Sequence, residues 1–141
     1  MIASTTPGTR NLANATRFYD AVMPPSASRP PHRFGCRNFR CARRTASDVE
    51  IGVDAPEDSR CHLWIVTPIN GQPTSIGNGT MPALVAQTRS SGDSLYAAGL
   101  ANGGTDEGTP GPCPYGPGFY ACYLRDPDGN KRSAACETAE P

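Results

Sequence analysis

The chain has 141 residues, with 13 basic and 13 acidic side chains, so no formal net charge draws it toward nucleic acid or a membrane surface. Hydrophobic residues supply only 37%, and fifteen glycines with fifteen prolines favour short strands and turns over long helices within a single core-forming domain. No apolar run approaches the roughly 18 residues of a membrane span.

The N-terminal Met1-Ile-Ala-Ser-Thr-Thr is not a basic region followed by an apolar core. The expectation is therefore a cytoplasmic protein whose six cysteines (36, 41, 61, 113, 122 and 136) are free thiols. Twelve of the 13 basic residues are Arg, which with the abundant Ala, Gly and Pro suggests a GC-rich bacterial gene.

In chain order, Ile2 to Thr6 reads as a short strand. Asn11 is a good N-cap for a helix over 12–23, because Leu12, Ala15, Phe18, Tyr19, Val22 and Met23 recur at helical spacing and Pro24-Pro25 stops the run. Residues 24–44 break the pattern. Six Arg (29, 33, 37, 40, 43 and 44) fall there with four prolines, and no acidic residue lies between Asp20 and Asp48. The segment reads as an irregular, poorly packed loop; a basic anion-binding stripe and a local reading-frame error are the alternatives.

Strands are expected over Val49 to Val53 and Cys61 to Val66, the second ending at Pro68 and the Asn70-Gly71 turn. Residues 70–79 form a loop between two halves. A strand from Met81 to Ala86 precedes a helix beginning near Ser90, where Ser90 and Asp93 suggest a capping box and Gly103-Gly104 the stop. Residues 104–118 read as a long Gly/Pro loop. Thr9-Arg10 is echoed by Thr88-Arg89 and Phe18-Tyr19 by Leu95-Tyr96, which favours a duplicated module.

The final stretch, Phe119 to Lys131, is the most informative. Pro127 presets φ at the second position of a type I turn, Asp126 can accept from the turn amides, and Gly129 tolerates φ > 0. Two antiparallel strands follow, with Arg125 facing Lys131 and Tyr123 facing Ser133. Alternation puts Tyr120, Cys122, Leu124, Arg132, Ala134 and Cys136 on a helix-facing side. Phe119, Ala121, Tyr123, Ser133, Ala135 and Glu137 take the other side, as a cleft wall would.

The Asn-Leu-Ala-x-Ala-x-x-Phe-Tyr-Asp helix at 11–20, a second strand-helix unit near Met81 and the terminal Tyr-x-x-Asp-Pro-Asp-Gly-Asn hairpin together resemble the vicinal oxygen chelate superfamily. Glyoxalase I, bleomycin-resistance proteins and extradiol dioxygenases belong to it. The resemblance covers 1–23 and 45–138. It implies an α+β fold of two βαβββ modules (about 1–70 and about 78–138) in one domain over 1–141, curling around a cleft, and a homodimer. In metal-using members His, Gln and Glu on inner strands hold a divalent ion that stabilises negative charge. The matching positions here are Ser4, Trp64, Met81 and Ser133, none an imidazole or a carboxylate, so no cofactor is expected.

The remaining chemistry is sparse. His32, Cys36, Cys41, Cys61 and His62 lack the spacing of a zinc site. Asp126 and Asp128 are explained by the turn. His62 and Glu137 are the candidate acid–base groups, while Trp64, Tyr115 and Tyr123 are candidates for an aromatic pocket. A glyoxalase-like protein binding a small molecule without the usual metal is the primary reading. The alternative is a lyase or dioxygenase-like enzyme of lactoylglutathione lyase type using a nonstandard site. Neither nucleic acid nor membrane is an expected partner.

Overall fold

Helix α1 (Leu12–Val22) forms where its apolar spacing dictates. Asn11 stays extended (φ −139°, ψ 93°) and its side chain accepts from the Asn14 amide, satisfying one of the donors a helix start leaves open. Ala15, Phe18, Tyr19 and Val22 are the buried positions. At the far end the Met23 amide closes on the Tyr19 carbonyl, just before the proline pair.

The computed structural model describes residues 4–23, 33–34, 50–54 and 62–137. In the first half β1 (Ser4–Thr5), β2 (Arg33–Phe34), β3 (Glu50–Asp54) and β4 (His62–Ile65) form a sheet in the order β1-β4-β3-β2. In the second half β5 (Ala83–Val85), α2 (Arg89–Ala101), β6 (Thr105–Pro112), β7 (Tyr120–Arg125) and β8 (Lys131–Cys136) give β5-β8-β7-β6. The first strand of each sheet runs parallel to the last, and the other pairs are antiparallel. Each half is thus strand, helix and three strands with one connectivity, as the echoes in the sequence suggested. Arg33–Phe34, inside the Arg/Pro-rich segment expected to be irregular, is the outer strand β2; the rest of that segment lies outside the described residues.

Two expectations are corrected in the second half. The cap of α2 is Thr88, not Ser90: Thr88 is extended (φ −139°, ψ 162°), and it exchanges hydrogen bonds of 3.1 Å with Ser91 in a capping box. Ser90 already lies in the first turn, and Asp93 instead accepts from the Tyr120 hydroxyl at 2.7 Å. Replacing Thr88 with alanine is expected to cost about 1 kcal/mol, read as a lower urea midpoint at constant slope.

Residues 104–118 are also not one loop. Thr105–Pro112 is the outer strand β6, pairing with β7 through two register shifts. Strand-forming side chains are scarce there, and Pro110 and Pro112 argue against a central strand. An edge position removes that objection, because half of its backbone groups need no ladder partner.

The core joins the halves. Phe18, Tyr19 and Val22 of α1 pack with Leu63 and Ile65 of β4 and with Leu124 of β7, flanked by Leu84 and Leu95. Burying a side chain the size of Phe18 is worth about 1.5–3 kcal/mol. Cys122, Ala134 and Cys136 form a second cluster with Ala86 beneath α2. Both thiols are therefore in the core, as alternation implied.

The Asp126–Asn130 turn locks this arrangement. Gly129 (φ 88°) donates to the Asp126 carbonyl at 2.9 Å, and Asp126 Oδ1 accepts from the amides of Asp128 (3.0 Å) and Asn130 (2.9 Å). The turn also reaches back to the start of the chain. Asp128 accepts from the Thr9 hydroxyl and, at 2.8 Å, from the Arg10 amide, while Asn130 Nδ2 donates to the Gly8 carbonyl at 3.1 Å. Asp126 Oδ2 accepts from the Tyr19 hydroxyl at 2.7 Å, and Arg132, buried on the apolar face, donates from Nε to that hydroxyl at 2.8 Å. Burial is the main reason the Tyr19 phenol titrates far above its ordinary range.

Candidate functional site

Strand pairing decides which residues share a face. Tyr123 stands opposite Ser133, Ala121 opposite Ala135, and on the far side of β8 Ala83 pairs with Ser133 and Val85 with Ala135. Leu84, Cys122, Leu124 and Ala134 point the other way, into the core. One face of the second sheet is therefore floored by Ala83, Ala121, Ser133 and Ala135, with Tyr123 rising from it and Val85 81% exposed at its edge.

The Tyr123 ring has room because β6 places Gly108 against it. A Cβ on Gly108 would stand 2.9 Å from Tyr123 Cδ2. The phenol lies 3.7 Å from Cys113 Sγ, and Tyr115, itself exposed, meets Phe119 edge-on with centroids 5.5 Å apart. Hydrogen bonding to Cys113, then desolvation and Tyr115, push the Tyr123 phenol up to about 12, so near neutrality it is a protonated donor.

Charges gather at the turn end of this face and pair there. Glu107 accepts from Arg125 Nε at 2.6 Å and lies 3.3 Å from Lys131 Nζ; these contacts, the arginine first, hold its carboxyl below the usual range. Lys131 also sits 5.8 Å from the Tyr123 ring centroid.

The expected site residues distribute over both sheets. Tyr123 and Ser133 are cross-strand partners, with Tyr115 close to the phenol. Met81, 43% exposed, precedes β5 two residues from Ala83. Ser4, His62 and Trp64 belong to the first sheet, where Ser4 pairs with His62 and Trp64 with Gly52. Trp64 alternates with the buried Leu63 and Ile65 and is half-buried. Glu137 follows β8 and is exposed. Cys113 is the contributor that sequence reasoning did not single out from the six cysteines; its signal is the position just after β6, beside the start of β7.

The donors near Ser133 do not suit a divalent ion. They are a hydroxyl, the Met81 thioether and a phenol kept protonated, whereas hard and borderline ions take carboxylate and imidazole ligands. Among the described residues no three His, Cys, Asp or Glu side chains group as such a site would require.

No protein-family model matches the chain, and no curated protein does. Solved structures do. A glyoxalase/bleomycin resistance protein from Albidiferax ferrireducens T118 is 33% identical and superposes with a TM-score of 0.75, over 98% of this chain and 99% of its own. The chain belongs to the glyoxalase/bleomycin resistance family. Two further structures share the glyoxalase/bleomycin resistance fold at lower identity. One is a glyoxalase/bleomycin resistance protein/dioxygenase family enzyme from Burkholderia phytofirmans PsJN (16%, TM-score 0.68, 96% of this chain and 98% of that one). The other is a lactoylglutathione lyase from Agrobacterium tumefaciens (19%, TM-score 0.57, 96% and 92%). Membership accounts for the paired βαβββ topology, and no described helix is long and apolar enough to cross a membrane.

Proposed function

We propose that this glyoxalase-family chain binds a small, uncharged, aromatic molecule on the second-sheet face around Tyr123, without the usual metal. The observation that carries this is the makeup of that face. Ala83 and Ala135 are the open small residues beside a protonated phenol, with Ala121 and Ser133 buried between them, and the nearby charges are already paired among Glu107, Arg125 and Lys131. Such a surface favours a flat ring that stacks and accepts one hydrogen bond. Ser4, Trp64 and Met81 belong to the same proposal as further ligand contacts. The protein would act in the cytoplasm as a homodimer, each chain one domain of two modules, about 1–70 and about 78–138.

Titration with a neutral flat ketone such as fluorenone, followed by amide NMR, tests this. Shifts are expected to concentrate on β5, β7 and β8, and Tyr123→Ala should weaken binding about tenfold. Shifts scattered over the surface, or none with a panel of such rings, would remove the reading.

A second reading is an enzyme of lyase or dioxygenase-like type, with His62 and Glu137 as acid–base groups. What favours it is the fold shared with the Agrobacterium lactoylglutathione lyase. Turnover of the methylglyoxal–glutathione adduct with added Ni, Zn or Mn, abolished by His62→Ala, would establish it; no turnover excludes that substrate.

A further inference from the structure

The mismatch between the fold and its donors is confined to side chains. Met81 lies two residues before Ala83, the residue of β5 in parallel register with Ser133. The Ser133 amide donates to the Pro82 carbonyl at 3.3 Å, tying the residue beside Met81 directly to Ser133. On its other side Ser133 is fixed in register with Tyr123, in a hairpin whose turn is bonded to Gly8, Thr9 and Arg10. Backbone of this kind holds two inserted ligands in one relation whatever their chemistry. Ser133 is 3% exposed, so a carboxylate introduced there would be buried, and Lys131 on the same face is already held by Glu107.

We infer that this chain has lost divalent-ion binding through its ligand side chains alone, and that Met81→His together with Ser133→Glu is sufficient to seat a transition-metal ion on the intact backbone. The nitrogen would come from the segment leading into β5 and the carboxylate from β8, and solvent would fill the remaining positions. The buried carboxylate makes binding a stability event: without an ion S133E is destabilised, and with one the double variant recovers. Nothing here depends on which organic ligand the face takes.

The test uses full-length, metal-stripped wild type, M81H, S133E and M81H/S133E, titrated with nickel(II) chloride. Bound nickel after gel filtration and the shift in Tm are the readouts. Wild type is expected to retain no stoichiometric ion. The double variant should bind about one, roughly tenfold more tightly than either single variant, and its Tm should rise with nickel. If the double variant is unfolded without nickel and folds with it, the inference is likewise supported. M81H/S133Q, which adds a neutral oxygen donor and no buried charge, covers the case in which it does not fold at all; that variant must bind nickel more tightly than wild type. One ion per chain on the wild type overturns the loss. A folded double or S133Q variant that binds no better than wild type overturns the sufficiency of the backbone.

Discussion

Replacing Asp126 with alanine is expected to destabilise the protein by roughly 3–5 kcal/mol, the cost of leaving a buried guanidinium without its counter-charge. Asp126 Oδ2 lies 3.6 Å from Arg132 Nη2, and both side chains are 3% exposed. The same carboxylate accepts from the Tyr19 hydroxyl, from the Asn130 side chain at 2.9 Å and from two turn amides. Alanine strands all of these donors. Arg132→Leu separates the charge effect from the turn effect: D126A/R132L should lose less than the sum of its single changes, by about 1 kcal/mol or more. Urea unfolding of the four proteins measures this. Additivity within about 0.5 kcal/mol would mean that Arg132 does not depend on Asp126.

Gly104→Ala is expected to cost about 3 kcal/mol. An added Cβ would fall 2.8 Å from the Arg125 carbonyl oxygen, 2.8 Å from Phe18 Cε2 and 2.9 Å from the Gly99 carbonyl oxygen. Two of these neighbours are backbone, and the Gly104 amide already donates to the Gly99 carbonyl at 2.9 Å, so neither side can retreat. Gly79→Ala is the control: no atom lies within 4 Å of the added carbon, and the change should stay within about 0.5 kcal/mol. Equal melting shifts for the two variants would remove the steric account.

These two sites mark what sequence reasoning reaches. The Tyr123–Ser133 register was legible, because Pro127 and Gly129 fix the turn and a period of two does the rest. Helix α1 was legible from its spacing and the Asn11 cap. Strand β6 was not, since its signal is its place at the sheet edge rather than its composition. Arg132 could be flagged as a charge on an apolar face, yet its counter-charge is Asp126 and its Nε proton is accepted by Tyr19, whose own hydroxyl donates to Asp126 107 residues along the chain. Helical spacing identifies Tyr19 as core and says nothing of where its hydroxyl goes. In the candidate site, pairing across the hairpin joined Tyr123 to Ser133. Bringing Cys113 to the phenol required the β6–β7 pairing.

The bond between Thr9 and Asp128 spans 119 positions of the chain. Closing a flexible loop of that length costs about 4 kcal/mol in chain entropy, so this contact forms only after nearer ones have shortened the search. Helix α1, at 11 residues, is marginal alone in water, and both the acceptor for Tyr19 and the core partner Leu124 lie more than a hundred positions further along the chain. Until Asp126 has been made, the Tyr19 hydroxyl bonds water instead, and its core partner Leu124 is likewise missing. Premature termination just before Asp126 would leave both helices encoded and the assembly unable to close.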